Sequence, residues 1–346
     1  MFGLYRTALA ILVVAGHLGP VSNVGPYAVF AFYVLSGYLM TAILHKDYGY
    51  GPGGFARYLV NRGLRILPMY WLAVLVSLLL LALLGEQASR AYHSEMGLVV
   101  SAVDLVRNLV LVLDIGTPTR WVPPAWALTV ELFFYLLMGL GLSRWRGLTL
   151  AWLVASLAYT VYLVVGDASF SYRYFTLAAA SLPFSAGAAV YHLRVWWHGR
   201  NGQPSAGWLR WPVLTLFVAN VGLASAGTVH VFGTQFYLNV LLAAGVTWLL
   251  ADWRAPRLRS IDSAVGTLSY PVYLLHYQAG LCLVLLGYGP QRGEWQFLVP
   301  GLGLTLLMSW AMAAAVEPLF TAIRDRIRGG SAMASRTTRP RLARPD

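Results

Sequence analysis

Apolar runs about as long as a bilayer is thick recur along the whole length of this 346-residue chain. A helix of about 20 apolar residues crosses a hydrocarbon core of roughly 30 Å. Because lipid offers the backbone no hydrogen-bond partners, such runs must be helical. We therefore predict an all-α, polytopic membrane protein of about ten transmembrane helices. The runs place these helices approximately at 4–20, 26–45, 66–85, 123–142, 148–166, 175–193, 211–227, 232–251, 265–288 and 296–320.

The shortage of charged residues supports the same fold class. Apolar residues make up 58% of the chain and charged residues only 11%, whereas soluble domains carry about 25% charged residues. The 25 Lys and Arg outnumber the 13 Asp and Glu, which gives a formal net charge of +12. Such a charge is also typical of nucleic-acid-binding proteins, so the positions of the basic residues decide between the two interpretations.

The basic residues fall mainly in alternate loops. If the first helix starts in the cytoplasm, all but five of the 25 basic residues lie on the cytoplasmic side. The five on the outer side are Arg90, Arg107, Arg120, Arg173 and Arg292. This asymmetry follows the positive-inside rule and predicts that both termini are cytoplasmic. The positive charge therefore reflects membrane topology, and we expect no nucleic-acid partner.

Two segments differ from the apolar runs. Residues 1–328 form the predicted transmembrane domain, whereas 329–346 is rich in Ser, Thr, Pro and Arg and predicts a disordered, basic cytoplasmic tail. The long outer segment 86–123 has two interpretations: an interfacial or re-entrant helix over an outer cavity, or a plain extramembrane loop. No internal repeat is visible, which weighs against transporters built from inverted repeats.

Ionisable side chains inside membrane helices are costly, so each one is a candidate functional residue. Arg6 and His17 are eleven residues apart, which places them on one face of the first helix, roughly 16.5 Å apart along its axis. Histidine titrates near neutral pH and can act as a general base. A histidine that only bonds to a neighbouring helix would give the same pattern. Glu131, His276 and Glu317 complete the set.

Two further features lie near the predicted cytoplasmic side. The second helix has an aromatic face that ends in Ser36 and Gly37. Small residues allow close helix packing and a buried serine can bond to its own helix, so packing is one interpretation of Ser36. Arg62 and Arg65 lie about one turn apart on one helix face and can hold a phosphate together. Anchoring at the membrane surface is the competing interpretation.

Taken together and in order, these residues resemble the membrane-bound acyltransferase type 3 family. The matching residues are Arg6 and His17; Phe32 to Gly37; Arg62, Arg65, Pro68 and Tyr70; Trp126, Glu131 and Tyr135; Ser269, Tyr273 and His276; and Glu317 with Pro318. They span nearly the whole chain. The sequence departs from the family pattern at Ala28, where the family often has glycine, and in the first turn, where Phe2-Gly3-Leu4-Tyr5 replaces the usual Leu-Asp-Gly.

The resemblance implies a ten-helix domain that transfers an acyl group, with acetyl as the expected group. It implies that His17 is catalytic and is supported by Arg6. Glu131, at the outer half of its span and suited to a cavity wall, is the third catalytic candidate. Arg62 and Arg65 are the residues expected to bind acyl-CoA, which is a co-substrate. No metal and no permanently bound cofactor is expected. The remaining candidates, for substrate or structural roles, are Ser36, Tyr70, Trp126, Tyr273, His276 and Glu317.

The expected acceptor is a hydroxyl of a glycan. The resemblance implies an O-acetyltransferase of an exported exopolysaccharide or lipopolysaccharide, or of a lipid-linked sugar, in a bacterial cytoplasmic membrane. Direct transfer and an acyl-histidine intermediate both remain open. The alternative is a multi-pass transporter or flippase, in which buried His and Glu relay protons. That alternative accounts for the buried ionisable residues but not for the ordered motifs.

Overall fold

A computed structural model describes residues 1–111, 118–201, 206–227, 232–253, 255–289 and 292–337 of the protein. Within these ranges the chain forms helices and no β-strand, which confirms the all-α fold class. The α-helices are α1 (Phe2–Leu18), α2 (Val24–Ile43), α3 (Pro52–Leu84), α4 (Glu86–Tyr92), α5 (Ala102–Val110), α6 (Trp126–Leu137), α7 (Arg146–Val165), α8 (Phe170–Phe175), α9 (Leu177–Asn201), α10 (Arg210–Ser225), α11 (Thr234–Ala251), α12 (Arg259–Leu285) and α13 (Trp295–Thr337).

Each of the ten predicted spans overlaps one long helix of the structure. In the part of the chain that the structure describes, seven helices are long and apolar enough to cross a membrane. They are Val24–Tyr48, Pro52–Leu84, Pro123–Leu142, Arg146–Val165, Thr234–Ala251, Pro256–Leu285 and Trp295–Ile327. Helix α1 is also apolar but has 17 residues. The expectation of a polytopic membrane protein is therefore confirmed, and its count of ten is approximate.

The helix boundaries differ most at α3 and α13. Helix α3 starts at Pro52 instead of residue 66, because proline is favoured in the first helical turn and the helix continues beyond its apolar run. The predicted boundary missed this extension because the added turns are polar. Helix α13 continues to Thr337, which lies inside the predicted tail 329–346. Residues 338–346 of that tail lie outside the described residues.

The segment 86–123 folds back against the middle of α3. The indole N–H of Trp71 on α3 donates to the carbonyl of Leu109 on α5 at 2.8 Å. The Asn108 side-chain amide donates to the Thr119 carbonyl at 3.0 Å. The opposite face of α5 exposes apolar side chains, including Val103 and Val106. This amphipathic helix favours the interfacial interpretation of the segment.

Close helix contacts fix the centre of the bundle. Helix α1 packs against α12 and α2, and α2 packs against α9. At the α2–α9 crossing, a Cβ atom at Gly37 would overlap the carbonyl oxygen of Phe184, and one at Gly187 would overlap that of Val34. Glycine at these two positions lets the backbones approach. The crossing holds α2 in place beside α1, where the candidate functional residues lie.

Candidate active site

A cavity of about 200 Å³ lies between α1, α2, α3, α6 and α12. Its polar lining consists of Arg6, Tyr33, Ser36, Arg62, Arg65, Glu131, Tyr135, Ser269, Tyr270 and Tyr273. Apolar side chains of the same helices, such as Phe32 and Leu128, form the rest of its wall. The cavity therefore combines a charged end with an apolar passage inside the bundle.

Three guanidinium groups define what we call the arginine end of the cavity: Arg6, Arg62 and Arg65. Arg62 is 5% exposed and donates to the Asn61 side-chain oxygen at 3.0 Å. Within the described ranges, none of the three forms an ion pair with a carboxylate. Of the nearby acids, Glu317 is paired with Arg324.

Buried charge without a partner is costly, so this end of the cavity favours an anionic ligand. Arginine binds phosphate through two parallel hydrogen bonds. Three such groups around one cavity can hold a polyphosphate.

The histidine end of the site, formed by His17 and His276, lies farther along α1. His17 Nδ1 and His276 Nε2 are 2.9 Å apart, and the two ring planes differ by 4°. His276 is fully buried, and its Nδ1 lies 2.8 Å from the carbonyl oxygen of Tyr273. These contacts form a chain of two hydrogen bonds that ends on a backbone carbonyl.

The backbone carbonyl determines where the protons of this chain lie. A carbonyl oxygen only accepts, so His276 Nδ1 carries the proton and donates to Tyr273. In a neutral ring, His276 Nε2 is then an acceptor, and His17 Nδ1–H donates to it. The remaining nitrogen of His17, Nε2, keeps its lone pair. The arrangement thus presents an unprotonated imidazole nitrogen that can accept a proton.

Space beside this nitrogen comes from Gly25 at the start of α2. A Cβ atom at Gly25 would lie 3.8 Å from His17 Nε2, which is ordinary van der Waals contact. Any longer side chain would extend toward the nitrogen. Glycine therefore leaves room for a group that approaches His17.

Tyr273 connects the two ends of the site. Its ring lines the cavity and lies 6.3 Å from the ring of Phe32, another lining residue. Its hydroxyl donates to the Pro124 carbonyl at 2.9 Å, and its own carbonyl accepts from His276. His17 is not among the residues that line the cavity. Arg6 and His17 thus belong to different ends of one site, joined by α1 and Tyr273.

The structure groups several predicted site residues differently from the expectation. Glu131 lies with Arg6 at the cavity, and its Oε1 accepts a hydrogen bond from the Ser36 hydroxyl at 2.9 Å. Ser36 therefore bonds across to α6 instead of to its own helix, while Gly37 provides the close packing. His276 pairs with His17 and becomes part of the histidine end.

Three other predicted candidates have structural partners away from the cavity lining. The Tyr70 hydroxyl donates to the Asn108 carbonyl on α5. The Trp126 ring packs on Tyr174 and Phe175 at 5.1 and 4.7 Å. Glu317 pairs with Arg324 about two turns along the same helix. These contacts stabilise the helix bundle around the site.

Residues outside the predicted set of site candidates also contribute. Tyr270 lines the cavity and donates to the Ile66 carbonyl at 2.9 Å. Tyr277, one residue after His276, lies 5.1 Å from the His17 ring and 4.7 Å from the His93 ring. Arg292 packs over the face of Tyr277. Their positions in the sequence gave no indication of a role at the site, because these contacts join distant parts of the chain.

Comparison with protein families agrees with this geometry. A family profile described as an acyltransferase domain matches residues 3–314. The chain belongs to the acyltransferase type 3 family. The match covers nearly the whole chain, so this acyltransferase type 3 protein is a membrane acyltransferase. Membership does not favour the transporter or flippase alternative. No curated protein and no solved structure is similar enough to be matched.

Proposed function

We propose that this acyltransferase moves an acetyl group from acetyl-CoA to a sugar hydroxyl of an exported polysaccharide or lipid-linked glycan. One observation carries the proposal: α1 joins Arg6, in a cavity whose three arginines have no carboxylate partner among the described residues, to His17, whose Nε2 lone pair is free. The two residues are roughly 16.5 Å apart along the helix axis. A long anionic donor can therefore reach from one end of the site to the other.

The donor side of the proposal rests on charge. Acyl-CoA carries several phosphate groups at one end and its thioester at the other. Arg62 and Arg65, with Arg6 beside them, offer guanidinium groups for the phosphates. The pantetheine arm then follows the cavity past Glu131 and Tyr273 toward His17. With the arginine end facing the cytoplasm, as the positive-inside rule predicts, the donor enters from the compartment that contains it.

The acceptor side rests on the histidine end. The acceptor hydroxyl transfers its proton to His17 Nε2 while its oxygen attacks the thioester carbonyl carbon. The carbon–sulfur bond then breaks, and the coenzyme A thiolate takes the proton from His17. His276 and the Tyr273 carbonyl keep the His17 proton on Nδ1 throughout, which is the role that the aspartate has in a catalytic triad. An acyl-histidine route would begin with attack by the same nitrogen.

Transfer of radiolabel tests the proposal directly. Membranes that contain the full-length protein are incubated with acetyl-CoA labelled in the acetyl group, and the label in the glycan fraction is counted. We expect label with the wild type and none above background with His17→Ala. His192→Ala is the matched control, because His192 on α9 bonds at 3.0 Å to the carbonyl of Ser143, between α6 and α7 and away from the site. Equal labelling by wild type and His17→Ala would remove the histidine from the reaction.

A further inference from the structure

A second cluster of polar and aromatic side chains lies beside the histidine end. The Arg292 guanidinium carbon lies 5.2 Å from the ring centre of Tyr92 and 5.4 Å from that of Tyr277. The His93 ring lies 4.7 Å from Tyr277 on the same side of the molecule. Because the His17 ring is also 5.1 Å from Tyr277, the guanidinium and the proposed base contact the same tyrosine.

The backbone fixes Arg292 at this position. The N–H of Gly293 donates to the carbonyl of Leu18 at 3.1 Å, and Leu18 directly follows His17. Gly293 has a φ of 102°, a conformation that glycine adopts readily and other residues rarely do. The chain segment that carries Arg292 is therefore bonded to the end of the helix that carries His17.

His93 is also held in a defined turn. The Met96 N–H donates to the His93 carbonyl at 2.9 Å, and the Glu95 N–H donates to His93 Nδ1 at 3.3 Å. Burial, together with the positive charges of Arg292 and Arg120, lowers the pKa of His93 to about 4. The ring is thus neutral at physiological pH, with its proton on Nε2 as a hydrogen-bond donor.

Arg292 has no carboxylate partner in the described part of the chain, unlike its neighbours at this end of the molecule. Glu95, the acid of the adjacent turn, is paired with Arg120 at 2.9 Å. The other arginines predicted on the outer side also have partners. Arg90 and Arg107 form ion pairs with Glu86 and Asp104, and Arg173 donates hydrogen bonds to the carbonyls of Ala168 and Phe232. Arg292 does hydrogen-bond to the Tyr277 side chain, but that partner is neutral. Among the described residues, a positive charge beside the proposed base is therefore left for a ligand.

We propose that Arg292 and His93 form an anion subsite, which binds a carboxylate or phosphate group of the acceptor within one or two sugar units of the acylated hydroxyl. Guanidinium groups bind both anions through paired hydrogen bonds, and the neutral His93 adds a donor. The subsite rests on the proposed function, because it assumes that the acceptor hydroxyl reaches His17. It identifies the acceptor as an acidic glycan, in which the anion is a uronate or a phosphodiester.

The position of the cluster separates it from the chemical step. Arg292 packs on the face of Tyr277, whereas Nε2 of His17 faces Gly25 on α2. The guanidinium therefore holds a part of the acceptor other than the reacting hydroxyl. It also lies at the end of α1 opposite the arginine end of the cavity, so the acceptor anion and the donor phosphates occupy different sites.

Binding of three defined probes to the purified full-length protein in detergent tests the subsite. The probes are a glucuronyl-glucose disaccharide, a dodecyl phosphodiester of glucose, and neutral glucosyl-glucose, and calorimetry measures each Kd. Because hydrogen bonds to charged groups are stronger than those to neutral groups, we expect a Kd about tenfold or more lower for one anionic probe than for the neutral probe. The preferred probe identifies the anion as carboxylate or phosphate. Arg292→Gln should abolish the preference, and Arg292→Lys, which keeps the charge without the paired geometry, should retain part of it.

Arg107→Gln is the matched control, because it removes one positive charge at the same end from a residue that Asp104 already pairs with. It should leave the preference intact. His17→Ala should bind the anionic probe as the wild type does, although it transfers no acetyl group. Probe binding therefore tests the subsite, and acetyl transfer tests the proposed reaction, independently of each other. Equal binding of charged and neutral probes by the wild type, or a preference that survives Arg292→Gln, overturns the subsite. A fall in kcat on the neutral probe with unchanged KM would assign Arg292 to the chemical step instead.

Discussion

The hydrogen-bond chain from His17 through His276 to the Tyr273 carbonyl makes a quantitative prediction about two substitutions at one position. His276→Phe keeps a ring of similar size but leaves the Nδ1 proton of His17 without an acceptor. His276→Gln keeps both functions, because its amide oxygen can accept from His17 and its amide nitrogen can donate to the Tyr273 carbonyl. The pair separates the hydrogen-bond chain from mere occupation of space.

The expected size of the effect follows from the buried hydrogen bond. His276 is fully buried, so a lost acceptor leaves a donor unsatisfied at a cost of about 1–3 kcal/mol. If that cost falls on the productive tautomer of His17, kcat drops by about 5- to 150-fold, since about 1.4 kcal/mol corresponds to a tenfold change. We expect the kcat of His276→Phe to fall in this range and the kcat of His276→Gln to stay within about fivefold of the wild-type value.

Steady-state kinetics with purified protein provide the measurement. The KM for acetyl-CoA should remain unchanged in both variants, because the arginines proposed to bind its phosphates line the cavity at the other end of the site. Thermal unfolding confirms that each variant is folded. Full activity of His276→Phe would refute the tautomer argument. Equal losses in both variants with a raised KM would show that His276 acts only by packing.

Three further substitutions test other parts of the site. Replacing both Arg62 and Arg65 by Gln should raise the KM for acetyl-CoA about tenfold or more, with a smaller change in kcat. Arg146→Gln is the control: the Arg146 side chain packs over Trp196, and its replacement should leave both constants unchanged. An effect confined to the KM for the acceptor would contradict the assignment of Arg62 and Arg65. Gly25→Ala should be tolerated and Gly25→Leu should lower kcat, because the longer side chain extends toward the base nitrogen; equal activities would show that the acceptor approaches elsewhere. Gly187→Leu should prevent stable folding, as measured by loss of a monodisperse gel-filtration peak, because any Cβ there overlaps the Val34 carbonyl.

Helical periodicity predicted the features that lie within one helix. The apolar runs located the long helices, and the 3.6-residue repeat placed Arg6 and His17 on one face of α1. It also predicted that Arg62 and Arg65 share a face, and both line the cavity. Such local features depend only on spacing along the chain, so a single sequence contains them.

Contacts between distant segments had no such signal. His17 and His276 are 259 residues apart, and only the packing of α12 on α1 brings their rings together. The Ser36–Glu131 bond and the position of Arg292 depend in the same way on helix packing and on one backbone bond from Gly293 to Leu18. The family resemblance named His276 and Glu131 but could not show which residue each one contacts. Geometry supplied that pairing.

Because the proposed donor and acceptor sites lie at opposite ends of α1, we propose that the two substrates enter from opposite faces of the membrane. Proteoliposomes that contain the full-length protein test it most directly, with labelled acetyl-CoA sealed inside and the acceptor glycan added outside, or with both added outside. With the donor at the arginine end and the acceptor at the histidine end, we expect transfer across the bilayer by the molecules whose arginine end faces the liposome interior. With both substrates outside, we expect no transfer by molecules of either orientation. Transfer with both substrates on the same side, and none across the bilayer, would contradict the account.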